Sequence, residues 1–166
     1  MKRHPAFTPL SREHHRTLIL AQSIKRGAPS FRGMAVTEDG KRAEVIQHYE
    51  EHLKDHFRKE ENIFAGCRSL SPQTDQLISE IFEEHREIEQ KVKDLSEKTP
   101  SGNQENAIGD TLNALGFLLE KHIRKEEREL FKLLQEKLSA EKLKQIEEEL
   151  SKKRQTDAVL QDRGRF

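Results

Sequence analysis

The segment HFRKEENIF at residues 56–64 recurs 66 residues later as HIRKEEREL at residues 122–130. In each copy a histidine precedes a glutamate by four positions. The two pairs are His56 with Glu60 and His122 with Glu126. Side chains four positions apart lie on the same face of an α-helix, and here apolar residues share that face. The repeat therefore predicts two helices that each direct an imidazole and a carboxylate into one buried space.

Composition limits the class of protein. Of 166 residues, 33% are hydrophobic and 36% are charged, which predicts one domain with a narrow core and an ionic surface. The 30 basic and 30 acidic residues cancel. Because no net positive charge remains and the two signs alternate, we expect no nucleic acid partner and no binding to an anionic membrane surface.

The compartment is predicted from cysteine content and apolar runs. Cys67 is the only cysteine, so an internal disulfide and a cysteine-rich zinc site are excluded, and we expect an inert, small hydrophobic residue to which no role is assigned. No apolar run approaches the ~18 residues of a membrane span, and residues 1–5 lead into no signal-peptide core. These features predict a cytoplasmic protein.

Amphipathic segments separated by glycine- and proline-rich breaks define the organisation of the chain. They predict long helices at residues 9–26, 72–98 and 104–137, another that starts at residue 38 or 41 and ends at residue 65, and a shorter one at residues 140–153. The expected fold is all-α, an antiparallel up-down four-helix bundle with a short additional C-terminal helix. Its predicted parts are an N-terminal arm at 1–8, the bundle at 9–138, the extra helix at 139–154 and a flexible tail at 155–166.

Histidines fall near the centre of the apolar face on all four long helices. A lone histidine in such a place is usually a hydrogen-bonded core residue. Four of them, two with a glutamate one turn later, instead favour a metal site. On the first helix His14 and His15 compete, with the apolar face closer to His14, and both are retained. The candidate ligands are His14 or His15, His56, Glu60, His85, His122 and Glu126.

Other polar residues of the second and fourth helices lie further from the apolar face. His48 and His52 precede His56 at steps of four and drift away from that face, so His48 is predicted to lie on the surface and His52 at the edge of the site. Glu61 and Glu127 are expected to be surface charges or salt-bridge partners.

The ligand types indicate which metals could bind. Imidazoles with carboxylates and no thiolates suit iron or manganese and also permit zinc. Six ligands exceed the needs of one tetrahedral zinc ion but fit two ions bridged by Glu60 and Glu126. The Glu-x-x-His spacing of ferritin-type sites and the His-Glu-x-x-His motif of zinc peptidases are both absent.

This pattern of motifs resembles the hemerythrin-like, or HHE cation-binding, family over residues 9–137. The resemblance implies a four-helix bundle around two non-haem iron ions with carboxylate and oxo or hydroxo bridges. Oxygen-carrying hemerythrins have a further histidine where this chain has Glu89, and their fourth helix spaces histidine and aspartate by five positions. These departures count against a reversible oxygen carrier and leave sensing, storage or redox chemistry at the iron open.

Two functional hypotheses follow. The first is a di-iron protein that binds, senses or reacts with a small diatomic ligand (O2 or NO) or peroxide, or that responds to iron. The second is a regulatory or interaction module in which the metal only stabilises the bundle. The sequence does not decide whether the protein is an enzyme and names no protein partner.

Overall fold

The computed structural model describes residues 2–97 and 107–163, with side-chain surroundings up to residue 152. All regular secondary structure in these ranges is helical, which confirms the all-α class. A 3₁₀ turn at Pro5–Phe7 precedes five helices. They are α1 (Thr8–Ser23), α2 (residues 38–65), α3 (Pro72–Glu97), α4 (residues 107–137) and α5 (Ala140–Arg163). Within these ranges, no helix combines the length and apolar character that crossing a membrane requires.

Helices α2 and α4 each contain one turn of π-helix. In α2 the π turn is Tyr49–Leu53, between the α-helical segments Glu38–His48 and Lys54–Ala65. In α4 the π turn is Glu126–Leu130, between Ala107–Lys125 and Phe131–Lys137. A π turn accommodates one more residue than an α turn and so rotates the residues that follow it. In α4, Phe131 and Leu134 are consequently fully buried, whereas Leu133, which the α-helical period predicts to face inward, is only half-buried.

Several helix boundaries follow from local chemistry. The Thr37 hydroxyl caps α2 by accepting a hydrogen bond from the Gly40 amide at 3.1 Å. Helix α1 ends at Ser23, before the predicted residue 26, and Gly27 then adopts φ of 68°. Helix α5 does not end near residue 154 but continues to Arg163, because residues 154–163 contain neither glycine nor proline. The predicted break at residues 99–103 and the expected start of the fourth helix lie outside the described residues.

Two apolar clusters fill opposite ends of the bundle. The first joins the start of α1 and α3 to the end of α2 and α4, and the second joins the opposite ends of the same helices. Chain directions therefore alternate, as an antiparallel up-down bundle requires. The first cluster includes Leu10, Phe64, Ile78, Phe131, Leu134, Leu143, Ile146 and Leu150. The second includes Leu20, Val45, Leu53, Ile88, Val92, Leu112 and Leu119. A layer of buried polar residues lies between the two clusters.

The first residues of the chain belong to the core. Ala6 and Phe7 are fully buried, and the Phe7 ring stacks on Phe131 with 4.8 Å between centroids. The segment predicted as a short arm therefore packs against the end of the bundle that α5 also covers. This contact could not be read from helical periodicity, because the segment precedes α1.

Candidate metal centre

Six ionisable side chains occupy the layer between the two apolar clusters, and none is more than 4% exposed. Burial of ionisable groups in an apolar core costs free energy unless they are paired or bind a metal. They come from all four long helices: His14, His56, Glu60, His85, His122 and Glu126. This is the set of candidate ligands that the sequence indicates, with His14 chosen over His15.

The six residues form two overlapping groups. Ligand atoms of His14, His56, Glu60 and Glu126 lie within 4.8 Å of one another. The same limit holds for the second group, which is Glu60, His85, His122 and Glu126. Both glutamates belong to both groups. The geometry therefore offers two neighbouring cation positions that share two carboxylates.

Glu60 reaches both groups with its two oxygens. Its Oε1 atom lies 2.8 Å from Nε2 of His56 and 3.2 Å from Nε2 of His14. Its Oε2 atom lies 3.1 Å from Nε2 of His85. Each oxygen thus faces the imidazoles of a different position, as a bridging carboxylate would.

Glu126 spans the same space from the opposite side. Its Oε2 atom lies 2.9 Å from Nε2 of His14, and its Oε1 atom lies 3.5 Å from Nε2 of His122. Neither Glu126 oxygen has a hydrogen bond of good geometry, and neither does Nε2 of His122. Buried polar atoms are almost always satisfied. A metal ion would satisfy these three atoms, so the residues present fit a metal centre.

The buried imidazoles and carboxylates of the site shift one another's pKa values. Burial alone would raise the pKa of Glu60, but the imidazoles of His56, His14 and His85 hold it well below its usual value. Burial alone would lower the pKa of His56, but the carboxylates of Glu60 and Glu13 raise it to about 9. A bound cation would take the place of imidazole protons beside the carboxylates.

Each of the four histidines also contacts a carboxylate through Nδ1. We call these four carboxylate residues, Glu13, Glu61, Glu84 and Glu127, the outer carboxylates. The pairs are His14 with Glu127 at 2.7 Å, His56 with Glu13 at 2.5 Å, His85 with Glu61 at 3.0 Å and His122 with Glu84 at 2.9 Å. A carboxylate on Nδ1 fixes the ring and its tautomer so that Nε2 is the ligand atom, and it makes the imidazole a stronger ligand. All four imidazoles are thus oriented for metal binding.

Two of the outer carboxylates, Glu13 and Glu84, are arranged in the same way around the two copies of the repeated segment. Glu13 and Glu84 each immediately precede the histidine of α1 or α3, and each orients the histidine of the next helix along the chain. Lys59 contacts Glu13 at 3.0 Å, and Lys125 contacts Glu84 at 2.5 Å. Each copy of the repeated segment therefore supplies a histidine of the site and a lysine that holds the outer carboxylate of that same histidine.

The two adjacent glutamates in each copy of the repeated segment occupy different places. The first of each pair, Glu60 or Glu126, lies inside the site. The second, Glu61 or Glu127, turns to a histidine of α3 or α1. Of the two expectations for these second glutamates, salt-bridge partner is the better description. Their place beside the site was missed, because helical periodicity does not show which neighbouring helix a side chain reaches.

The remaining candidates lie elsewhere. His15 is exposed, so the structure separates it from His14. His48 contacts Oγ1 of Thr17 through Nε2 at 2.9 Å, and the His52 side chain is 48% exposed. Neither His48 nor His52 belongs to the two ligand groups.

Glu89 also lies outside the ligand groups. It is exposed, and with burial it helps to raise the pKa of Tyr49 to about 12. In this structure the position therefore adds no donor atom to either ligand group.

Apolar side chains surround the candidate centre. The Phe57 ring stacks on His85 with 4.0 Å between centroids and lies 5.8 Å from the His122 ring. Ile88 and Leu119, which pack in the second cluster, are almost fully buried. A site enclosed in this way excludes bulk water and strengthens electrostatic interactions inside it.

Comparison with known proteins agrees with this geometry. The model of the hemerythrin HHE cation binding domain matches residues 7–134. No curated protein and no solved structure matches the chain significantly. The matched segment covers most of the chain and contains all six residues of the buried layer. The chain therefore belongs to the hemerythrin HHE cation-binding domain family.

Proposed function

We propose that this protein holds two non-haem iron ions and binds, senses or reacts with O2, NO or peroxide, or responds to iron availability. The observation that carries the proposal is the pair of buried ligand groups that share Glu60 and Glu126. A single metal ion would leave one pair of histidines unused. Two ions would use all six side chains.

The donor atoms favour iron. Each position would receive two imidazole nitrogens and one oxygen from each of the two shared glutamates. Mixed imidazole and carboxylate ligands with open coordination positions are typical of non-haem iron that handles oxygen. Four such donors would leave positions open on a six-coordinate iron ion, whereas they would close a tetrahedral zinc site. The buried thiol of Cys67 belongs to neither group.

Iron would supply the one-electron chemistry and the affinity for diatomic ligands, and the protein residues would control access and orientation. Glu60 and Glu126 would hold the two positions at a fixed separation, and the outer carboxylates would keep all four imidazoles aligned. Phe57 would limit the approach of water beside His85 and His122. Because Glu89 adds no donor atom to either ligand group, a coordination position would be left for a small exogenous ligand.

The proposal is tested by the response of reduced, iron-loaded protein to gases. We expect its optical spectrum to change on exposure to O2 and, in a separate sample, to NO. Zinc-loaded protein is the matched control, because it keeps the fold but has no redox chemistry. An unchanged spectrum in protein whose helices melt when metal is removed would contradict the proposal and favour a metal-stabilised interaction module.

A further inference from the structure

The site has one half around His14 and His56 and another around His85 and His122. The two halves differ in how one outer carboxylate is held. Glu127, which orients His14, is held by Arg3, whose guanidinium lies 2.5 Å from Oε2 and donates to the backbone carbonyl of Glu127 at 2.6 Å. Glu61, which orients His85, has no lysine or arginine nitrogen within 4.0 Å among the described residues. The Glu61 side chain is 43% exposed, against 23% for Glu127.

Arg3 is itself held against α4 by further contacts. Its guanidinium lies 5.0 Å from the centroid of Phe131, and the Phe131 ring stacks on His14 at 5.9 Å. Arg3 also donates to Oε1 of Gln135 at 3.3 Å, and the backbone amide of His4 donates to the same oxygen at 3.0 Å. Arg3 therefore contacts the His14 side of the site through both Glu127 and Phe131.

The other half contains a similar but incomplete arrangement. The Arg68 guanidinium lies 5.4 Å from the centroid of Phe82, whose ring packs on His85 at 6.2 Å. Arg68 donates to Oγ of Ser79 at 3.2 Å and is not paired with Glu61. Arg68 therefore does not hold Glu61 in the way that Arg3 holds Glu127.

The remaining outer carboxylates do not produce this difference. Glu13 and Glu84 are each held by the lysine of the repeated segment, Lys59 or Lys125. Each half of the site therefore has one lysine-held carboxylate. Arg3 is the cation that distinguishes the halves within the described residues.

We propose that Arg3 is a positioning residue for one of the two metal positions. By holding Glu127 it fixes the ring of His14, so a metal ion bound by His14 and His56 leaves the protein more slowly than an ion bound by His85 and His122. This inference rests on the proposed function, because it requires two bound ions. It assigns a role to the segment before α1, which acts on the site through Glu127.

The test is the release of iron from reduced protein loaded with two irons, mixed with excess ferrozine, a chelator of ferrous iron. Absorbance of the chelate records release directly and needs no activity assay. The wild-type protein should release iron in two phases of equal amplitude. Arg3→Ala should speed the slow phase severalfold, up to the roughly tenfold effect that loss of the carboxylate partner of a metal-bound histidine itself typically has. Arg3→Lys should restore part of the slow phase, because an ammonium group can still pair with Glu127 but cannot reproduce the stacked and multidentate contacts of the guanidinium.

Further variants separate positioning from general loss of stability. Glu127→Gln should speed only the slow phase, and Glu61→Gln only the fast phase. Arg12→Ala, which removes an exposed arginine of α1, is the matched control and should change neither phase. A single phase in wild-type protein, or equal acceleration of both phases by Arg3→Ala, would overturn the inference. Iron content below two per chain would instead contradict the proposed function, before any release is measured.

Discussion

The Nδ1 atom of His122 on α4 lies 2.9 Å from Oε2 of Glu84 on α3, while Oε1 of the same carboxylate lies 2.5 Å from Nζ of Lys125. Glu84 is therefore held from one side by the lysine and orients the imidazole on the other. Burial alone would raise the pKa of Glu84, but His122 and Lys125 lower it below its usual value. The carboxylate is thus kept charged beside the site.

Loss of this charge should weaken metal binding. We expect Glu84→Gln to reduce iron affinity about tenfold, because carboxylates that contact metal-bound histidines typically contribute a factor of ten or more. Competition with a chelator of known affinity measures the change. Glu83→Gln, at the adjacent and exposed position, is the matched control and should bind iron like the wild-type protein. Equal affinities of the Glu84 and Glu83 variants would show that the outer carboxylate does not act on the metal.

The shared glutamates should make the two metal positions interdependent. Either Glu60→Gln or Glu126→Gln should lower the iron content at both positions, because each residue contributes an oxygen to both ligand groups. Elemental analysis of the purified variants measures the content. Glu129→Gln replaces an exposed glutamate of α4 and should retain the wild-type content. A variant of Glu60 that still holds one full equivalent would refute the bridging role.

The choice between the two adjacent histidines of α1 can be tested directly. His14→Ala should lose metal, because the buried imidazole faces both Glu60 and Glu126. His15→Ala removes an exposed imidazole and should leave the metal content unchanged. The pair is well matched because both substitutions have the same size and lie on the same helix. Loss of metal from His15→Ala but not from His14→Ala would show that α1 is rotated so that His15 faces the site.

Helices α1 and α4 approach closely at Gly116. A Cβ atom added there would lie 2.7 Å from the backbone oxygen of Ala21 and 2.9 Å from Cγ of Lys25. We expect Gly116→Ala to reduce the free energy of unfolding by about 1–3 kcal/mol, because the backbone contact must open. Urea denaturation followed by circular dichroism measures the loss.

Gly66→Ala is the control for this prediction. Its nearest new contacts would be ordinary ones, at 3.4 Å from the Ile63 carbonyl oxygen and 3.6 Å from Nζ of Lys142. The substitution should therefore change stability by less than about 1 kcal/mol. Equal effects at Gly66 and Gly116 would mean that the helix contact does not limit packing.

The thiol of Cys67 should be inert in the folded protein. It is fully buried, and burial raises its pKa to about 11. Because the thiolate is the reactive form, only about one thiol in a thousand would be ionised at pH 8. A disulfide reagent such as DTNB should therefore modify it only after urea unfolds the chain. Rapid modification under native conditions would place Cys67 at the surface.

Much of the fold follows from the sequence because the repeat and the helical period carry the same information. The copies at residues 56–64 and 122–130 identify two helices and their buried faces at once. The π turns could not be predicted in this way, because no residue type in Tyr49–Leu53 or Glu126–Leu130 indicates an extra residue per turn. The burial of Phe131 in preference to Leu133 could therefore be learned only from the structure.

The candidate site was partly predictable for the same reason. The inner residues share one face of their own helices, so periodicity finds His56 and Glu60 without knowledge of the packing. The outer carboxylates act across helices, and their partners depend on which helices are neighbours. A signal was present, since Glu13 and Glu84 each precede the histidine of α1 or α3, but its meaning needed the three-dimensional arrangement.

The bridged metal centre is tested most directly by the metal content of protein purified from iron-replete cells, measured by elemental mass spectrometry. We expect about two irons per chain, because the two ligand groups share Glu60 and Glu126. A single zinc ion per chain, or metal well below one equivalent, would contradict the bridged centre.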